Sequence, residues 1–230
     1  MYIMLMAIEF ESSRWEKVYR DSVVDDYAFV LSLAYGDELA SRQAFGYFSP
    51  LVRRILRRAL GPGIDVEDLV QEVFLRFFEN VGALRKADAL RGYVIAITVN
   101  TLRDELRRRQ VRRILRFVDP VELPKLRAVE MDFEAREALE RFYRIIERLR
   151  LGDRIAFVLH IIEELPLSEV AAALDVSVPT AKRRVERART RVSRQVESDP
   201  VLSNYAARGC TMPKSDVIES WRGKREVSRG

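Results

Sequence analysis

The chain has 230 residues, 48% of them hydrophobic, which is enough for one or two domains with real cores. Its 40 Lys+Arg against 35 Asp+Glu give a formal net charge of +5 and a pI near 9.5, too modest to prove a nucleic-acid partner, so local clustering matters more than the total. A single Cys (Cys210) and a single His (His160) exclude a disulfide framework, a Cys/His zinc site and a Cys–His nucleophile pair.

A reducing cytoplasm fits that cysteine usage best. The opening stretch "MYIMLMAIEF" is apolar but far short of the roughly 18 residues that a membrane span needs, and it lacks a basic region or a cleavage site. No export and no membrane insertion are expected. Of the basic residues 34 are Arg and 6 are Lys. That bias suits bidentate contacts to phosphate and guanine, and GC-rich codon usage explains it equally well.

Apolar residues recur at three- and four-residue spacing along most of the chain, and β-branched alternation is nearly absent, so an all-α protein is predicted. From about Asp26 to Leu60 two helices are expected, parted near "YGD", the second ending at "GPG" with Arg53, Arg54, Arg57 and Arg58 on its outer face. Asp65 can cap "VEDLVQEVFLRFFENV", an acidic helix with Leu69, Val73, Phe74 and Phe77 as its apolar stripe. A loop, "VGALRKADALR", leads to "GYVIAITVNTLRDELRRRQVRRILR". Its first half is apolar on most sides, and between Arg103 and Arg116 it carries seven Arg against Asp104 and Glu105. A buried helix emerging into a basic arm is expected there.

"FVDPVELPKLRAVEMD" holds Pro120 and Pro124 without periodicity and reads as a linker. Next come helices with the stripe Leu139, Phe142, Ile145, Ile146 and Leu149, a break at "LGD", and Asp153 as a plausible cap. In "SEVAAALDVSVPTAKRRVERARTRV", Ser168 can cap a short helix with Val170, Ala171 and Leu174 inward. Asp175 sits in the turn, and Ser177 and Pro179 open a second helix with Lys182, Arg183, Arg184, Arg187 and Arg191 outward. The same pattern suits a solvated helix on a structural domain, but turn, caps and basic face coincide as DNA reading requires. Beyond Glu197 the tail is either mobile or a small docking segment.

Two of these stretches carry a resemblance. "LSEVAAALDVSVPTAKRRVERAR" resembles the region-four helix-turn-helix of extracytoplasmic-function (group IV) RNA polymerase sigma factors, and "DVEDLVQEVFLRFF" resembles their region 2.2. Order and spacing match over about Asp26 to Val196. The resemblance implies two small helical domains: region 2 at 23–116, a linker at 117–132, region 4 at 133–197, and extensions at 1–22 and 198–230.

It also implies the site residues. Asp68, Gln71, Glu72 and Phe74 would meet the clamp helices of the polymerase β′ subunit, with core packing the equal alternative for Phe74. Tyr93, Asn100, Arg103, Arg107 and Arg108, with the loop from Val81 to Arg91, would bind the opened minus-10 strand. Tyr93 stands where the family usually has Trp, and its stacking role fails if the ring is core. Thr180, Lys182, Arg183, Arg184 and Arg187 would read minus-35 duplex, and His160 either touches that duplex or is structural or simply exposed. Helices 133–162 would face the β flap, with core packing the stronger reading of their stripe.

Core RNA polymerase, promoter DNA and an anti-sigma factor are the implied partners, with no cofactor, no metal and no enzymatic chemistry. The rival readings are a helix-turn-helix regulator acting without replacing a sigma factor and an all-helical adaptor.

Overall fold

The computed structural model describes residues 27–61, 64–84, 89–115 and 133–207, and among them there is no strand. Contacts divide the chain into two compact units, with dividing lines at Leu56/Arg57, Ile64/Asp65 and Arg107/Arg108. The proposed linker, 117–132, lies outside the described residues, as do 1–26 and 208–230.

The first unit is built from α1 (Tyr27–Ala34), most of α2 (Glu38–Leu60), α3 (Glu67–Asn80) and α4 (Leu90–Leu115) as far as Arg107. Gly36, at φ 75°, takes the left-handed turn between α1 and α2, and the Asp37 carboxylate accepts the Ala40 N–H at 2.8 Å to start α2. Ala40, Ala44, Phe48, Val52 and Ile55 then bury one stripe of α2 at helical spacing. Gly61, at φ 103°, ends it where "GPG" predicts.

α3 begins at Glu67, whose N–H donates to the Asp65 carboxylate at 3.0 Å, so Asp65 caps the helix from one residue before the Val66 N-cap position. Leu69, Val73, Phe74 and Phe77 are buried as the periodicity predicts, together with Val70. The Phe74 ring centroid lies 4.6 Å from that of Phe45 and 6.1 Å from that of Phe77, and Phe77 lies 6.4 Å from Phe48. Burying each such ring stabilises the unit by roughly 1.5–3 kcal/mol, so this aromatic cluster is what seats α3 on α2.

α4 is one continuous helix that changes character along its length. Val94, Ile95, Ile97, Thr98, Val99, Thr101 and Leu102 are buried, whereas Arg107, Arg108 and Arg112 are exposed. The buried Thr98 hydroxyl donates to the Val94 carbonyl at 2.8 Å, so it needs no other partner.

The second unit holds α5 (Phe133–Glu147), α6 (Leu151–Phe157) continued by a π-helical turn (Val158–Ile162), α7 (Leu167–Leu174), α8 (Val178–Ser198) and α9 (Pro200–Ala207). Phe142, Ile145, Ile146 and Leu149 are buried while Leu139 is half-buried, which agrees with the core reading of that stripe. Two starts differ from expectation. α6 opens after Arg150 rather than on Asp153, which sits inside its first turn. α7 opens after Pro166 rather than on Ser168, because extended backbone at Pro166 already directs the chain into the helix.

The tail reading is sharpened by α9. Asp199 accepts the N–H groups of Val201 and Leu202 at 3.0 and 3.2 Å and pairs with Arg141 of α5 at 3.1 Å, and Leu202 is buried. A cap followed by Pro200 at the first helical position makes "SDP" a helix start, and one apolar anchor docks it on α5 and α8. The folded part therefore runs past residue 197 to at least 207.

Candidate functional site

Helical spacing places Asp68, Gln71, Glu72, Leu75 and Glu79 on one face of α3, opposite the buried stripe. Asp68 is exposed and Gln71 and Glu72 are half-exposed. Glu72 pairs with Arg76 at 2.6 Å, and Arg76 reaches Asp104 of α4 at 3.5 Å. Phase alone could not settle Phe74, and the structure corrects its grouping with the surface residues. Its ring is 0% exposed in the aromatic cluster and cannot touch a partner while the unit stays folded. The large apolar side chain that this acidic face does present is Leu75, 47% exposed. Sequence reading missed it because two adjacent positions both fit the period.

On α4, residues 93, 100 and 107 recur at seven-residue spacing, so Tyr93, Asn100 and Arg107 share a stripe, flanked by Arg103 and Arg108. Tyr93 is half-buried with its ring 6.1 Å from Phe77, and burial pushes its hydroxyl above the ordinary phenol range. That ring is therefore partly packed on the core and partly open. Asn100 is exposed, and its side-chain oxygen accepts a hydrogen bond from Arg103 Nη1 at 3.0 Å. The adjoining loop begins with a short 3₁₀ turn, Val81–Ala83; residues 85–88 of the loop expected to capture a base lie outside the described residues.

α7 and α8 form a helix-turn-helix. Asp175 takes the left-handed conformation at φ 52°, ψ 54°, closing α7 through N–H bonds to the carbonyls of Ala171 and Ala172. Ser177 holds the N-cap position of α8 and Pro179 lies in its first turn, as the sequence suggests. The Ser177 hydroxyl, however, bonds the Thr180 hydroxyl at 2.9 Å rather than a backbone N–H. Ala171, Ala173, Ala181 and Ala188 are buried, so the helices cross closely, with Val170, Leu174, Val185 and Val192 filling the contact.

The outward row of α8 is not uniform. Lys182 and Arg183 are exposed, and Arg183 reaches the half-exposed Thr180 at 3.4 Å. Arg184 lies against Gly152, and Arg187 pairs with the buried Asp153 at 2.8 Å. That hydrogen bond, followed by the charge of Asp153, holds the Arg187 guanidinium above its ordinary value. His160 lies in the π-helical turn, half-buried, with Nδ1 at 2.8 Å from the Leu165 carbonyl. It ties the end of that turn to the approach to α7, which leaves only Nε2 for any other contact. Among the described residues no group of His, Cys, Asp and Glu could hold a metal ion, and no helix is long and apolar enough to cross a membrane.

Residues 44–112 match the family described as Sigma-70 region 2, and residues 139–192 match that described as Sigma-70, region 4. RNA polymerase sigma factor NccH of Alcaligenes xylosoxydans xylosoxydans is 27% identical over 180 residues, covering 76% of this chain and 97% of its own. ECF RNA polymerase sigma-E factor of Escherichia coli K12 is 26% identical over 181 residues, covering 75% of this chain and 94% of its own. The fold is similar to that of CnrH, solved in complex with the cytosolic domain of CnrY, with a TM-score of 0.55 at 24% identity over 75% of this chain and 97% of that one.

Proposed function

The chain belongs to the extracytoplasmic-function group of sigma-70 factors, and on that premise we propose that it binds core RNA polymerase and directs it to promoters with two separated elements. Asp68, Gln71 and Glu72, with Leu75 at the centre of their face, dock on the β′ clamp helices. Carboxylates and an amide around one apolar contact suit a partner rich in Arg. The second unit turns α8 into the major groove of minus-35 duplex and approaches the β flap through its first helices. The α4 stripe receives unstacked minus-10 bases, with Tyr93 as the wall, Asn100 as an edge reader, and Arg103, Arg107 and Arg108 along the backbone.

No covalent step is asked of the chain. Binding a few unstacked bases, at roughly 1–3 kcal/mol each, offsets part of the cost of opening the duplex, and the polymerase performs phosphoryl transfer. Until induced, the factor is held in the cytoplasm by an anti-sigma protein; CnrH, of similar fold, was solved with the cytosolic domain of CnrY bound to it.

The observation that carries this reading is the coexistence of an acidic helical face in the first unit with a helix-turn-helix of basic outer row in the second. The test is capture of purified bacterial core polymerase on the full chain, then run-off transcription from a genomic-fragment pool with mapping of 5′ ends. Saturable capture and starts sharing a spaced two-part motif are expected. A folded chain that does not bind core would overturn the proposal.

A further inference from the structure

The contacts that hold the α8 arginines come from the first turn of α6. Asp153 is sealed, its side chain 9% exposed, while the Arg187 side chain is 57% exposed. Arg187 Nε and Nη2 donate to the two carboxylate oxygens at 3.3 and 2.8 Å. A guanidinium has five N–H donors in one plane. With its Nε/Nη2 edge spent on Asp153, it keeps the adjacent Nη1/Nη2 edge, whose two parallel donors match guanine O6 and N7 or a phosphate.

Gly152 does complementary work by having no side chain. Its backbone is not in the left-handed region, so the turn itself does not require glycine. A Cβ built there would stand 3.0 Å from Arg184 Nη1 and 3.2 Å from Arg184 Cζ. The Arg184 guanidinium occupies that gap, at helical spacing from Arg187.

We infer that Gly152 and Asp153 are positioning residues of the reading helix: Asp153 turns Arg187 so that a defined edge faces DNA, and Gly152 leaves room for Arg184 beside it. The inference rests on the proposed reading of α8 as the minus-35 reader. An unbraced arginine loses rotamer freedom when it binds, whereas a braced one has lost it on folding and rejects a misplaced acceptor. The brace thus serves discrimination between sequences more than affinity.

The sign of one substitution separates this from simple charge. Asp153→Asn removes a negative charge near the DNA surface, which by long-range electrostatics would tighten binding to every duplex. Bracing predicts the reverse for the correct site. The probe is the promoter duplex recovered by start mapping, compared with the same duplex carrying a scrambled upstream element, bound by full chain loaded on core polymerase. Asp153→Asn is expected to lose about tenfold in matched-over-scrambled preference, the scale of one bidentate base contact. In an Arg187→Ala background it is expected to add no further loss. Gly152→Ala, which guards against an Asp153→Asn chain that fails to fold, is expected to melt no lower than wild type yet lose preference several-fold.

An unchanged preference in Asp153→Asn, equal tightening to both duplexes, or an additive loss in the Arg187→Ala background would overturn the role of Asp153. Wild-type preference in Gly152→Ala would overturn that of Gly152. A wild-type holoenzyme indifferent to the upstream element would instead overturn the reading of α8, and this inference with it.

Discussion

In α4, Arg103 is held by Asn100, three positions back on the same helix, whereas in α8 Arg187 is held by a buried carboxylate 34 positions away on another helix. The first brace joins side chains one turn apart on a single helix; the second is set by the packing of two helices. Duplex base pairs present donors and acceptors at fixed places, so their reader gains from an immobile side chain. An unstacked strand can move to meet its reader and asks chiefly for cations and a stacking wall. On the roles proposed for α4 and α8, the same residue type would serve two kinds of recognition according to what immobilises it.

The largest expected effect tests what seats the α4 row. Phe74→Ala should cost about 3–5 kcal/mol in denaturant unfolding of the full chain, because Phe77 beside it carries the ring of Tyr93. A cost under about 1 kcal/mol, the scale of ordinary surface changes, would mean that the ring is not core and that Phe74 is available to a partner. Next, Arg187→Ala should lower the preference for matched over scrambled upstream duplex by about 1–3 kcal/mol, read by competition binding of holoenzyme.

The far end of α8 is braced as well, which gives a smaller effect. Asp199→Ala should cost about 1 kcal/mol, the worth of an N-cap, seen as faster hydrogen exchange across α9. Burial opposes the Asp199 charge, but the N–H groups of Leu202 and Val201 and the Arg141 guanidinium outweigh it and hold the carboxyl below its ordinary value. Its contribution is therefore complete above the unfolded pKa of about 4 and fades as pH falls through the lower folded value. The gap between wild type and variant should close on acidification; a gap constant to pH 2, roughly two units below that unfolded pKa, would rule out the carboxylate as its source. Smallest is Arg107→Ala, which should weaken binding to all promoter sequences alike and reduce the slope of log affinity against log salt by about one. A sequence-selective loss there would erase the contrast between the two rows.

Much of this molecule is legible locally. Leu69, Val73, Phe74 and Phe77 are buried as their spacing predicts, Asp175 takes the left-handed turn, Pro179 opens α8, and α4 passes from buried to basic where its composition changes. Each of these depends on residues within a turn or two of one another, the range over which dihedral preferences, caps and amphipathic period act. Asp153 shows the limit. Its place after a break makes it look like a cap, and no local rule links it to Arg187. α9 was readable in principle from Asp199 followed by Pro200, but one buried anchor among its described side chains, Leu202, gives too little periodicity to distinguish a docked helix from a loose tail.

The sequence by itself determined the helices, their order, the acidic and basic faces, and through two spaced motifs the family. Tertiary structure decided that of two adjacent apolar residues Phe74 turns inward and Leu75 outward, that Tyr93 is half core, and that Arg187 leans on Asp153 while Arg183 stays exposed. Periodicity specifies what a helix face contains; only the neighbour packed against it determines which of its charges are held and which are left to a partner.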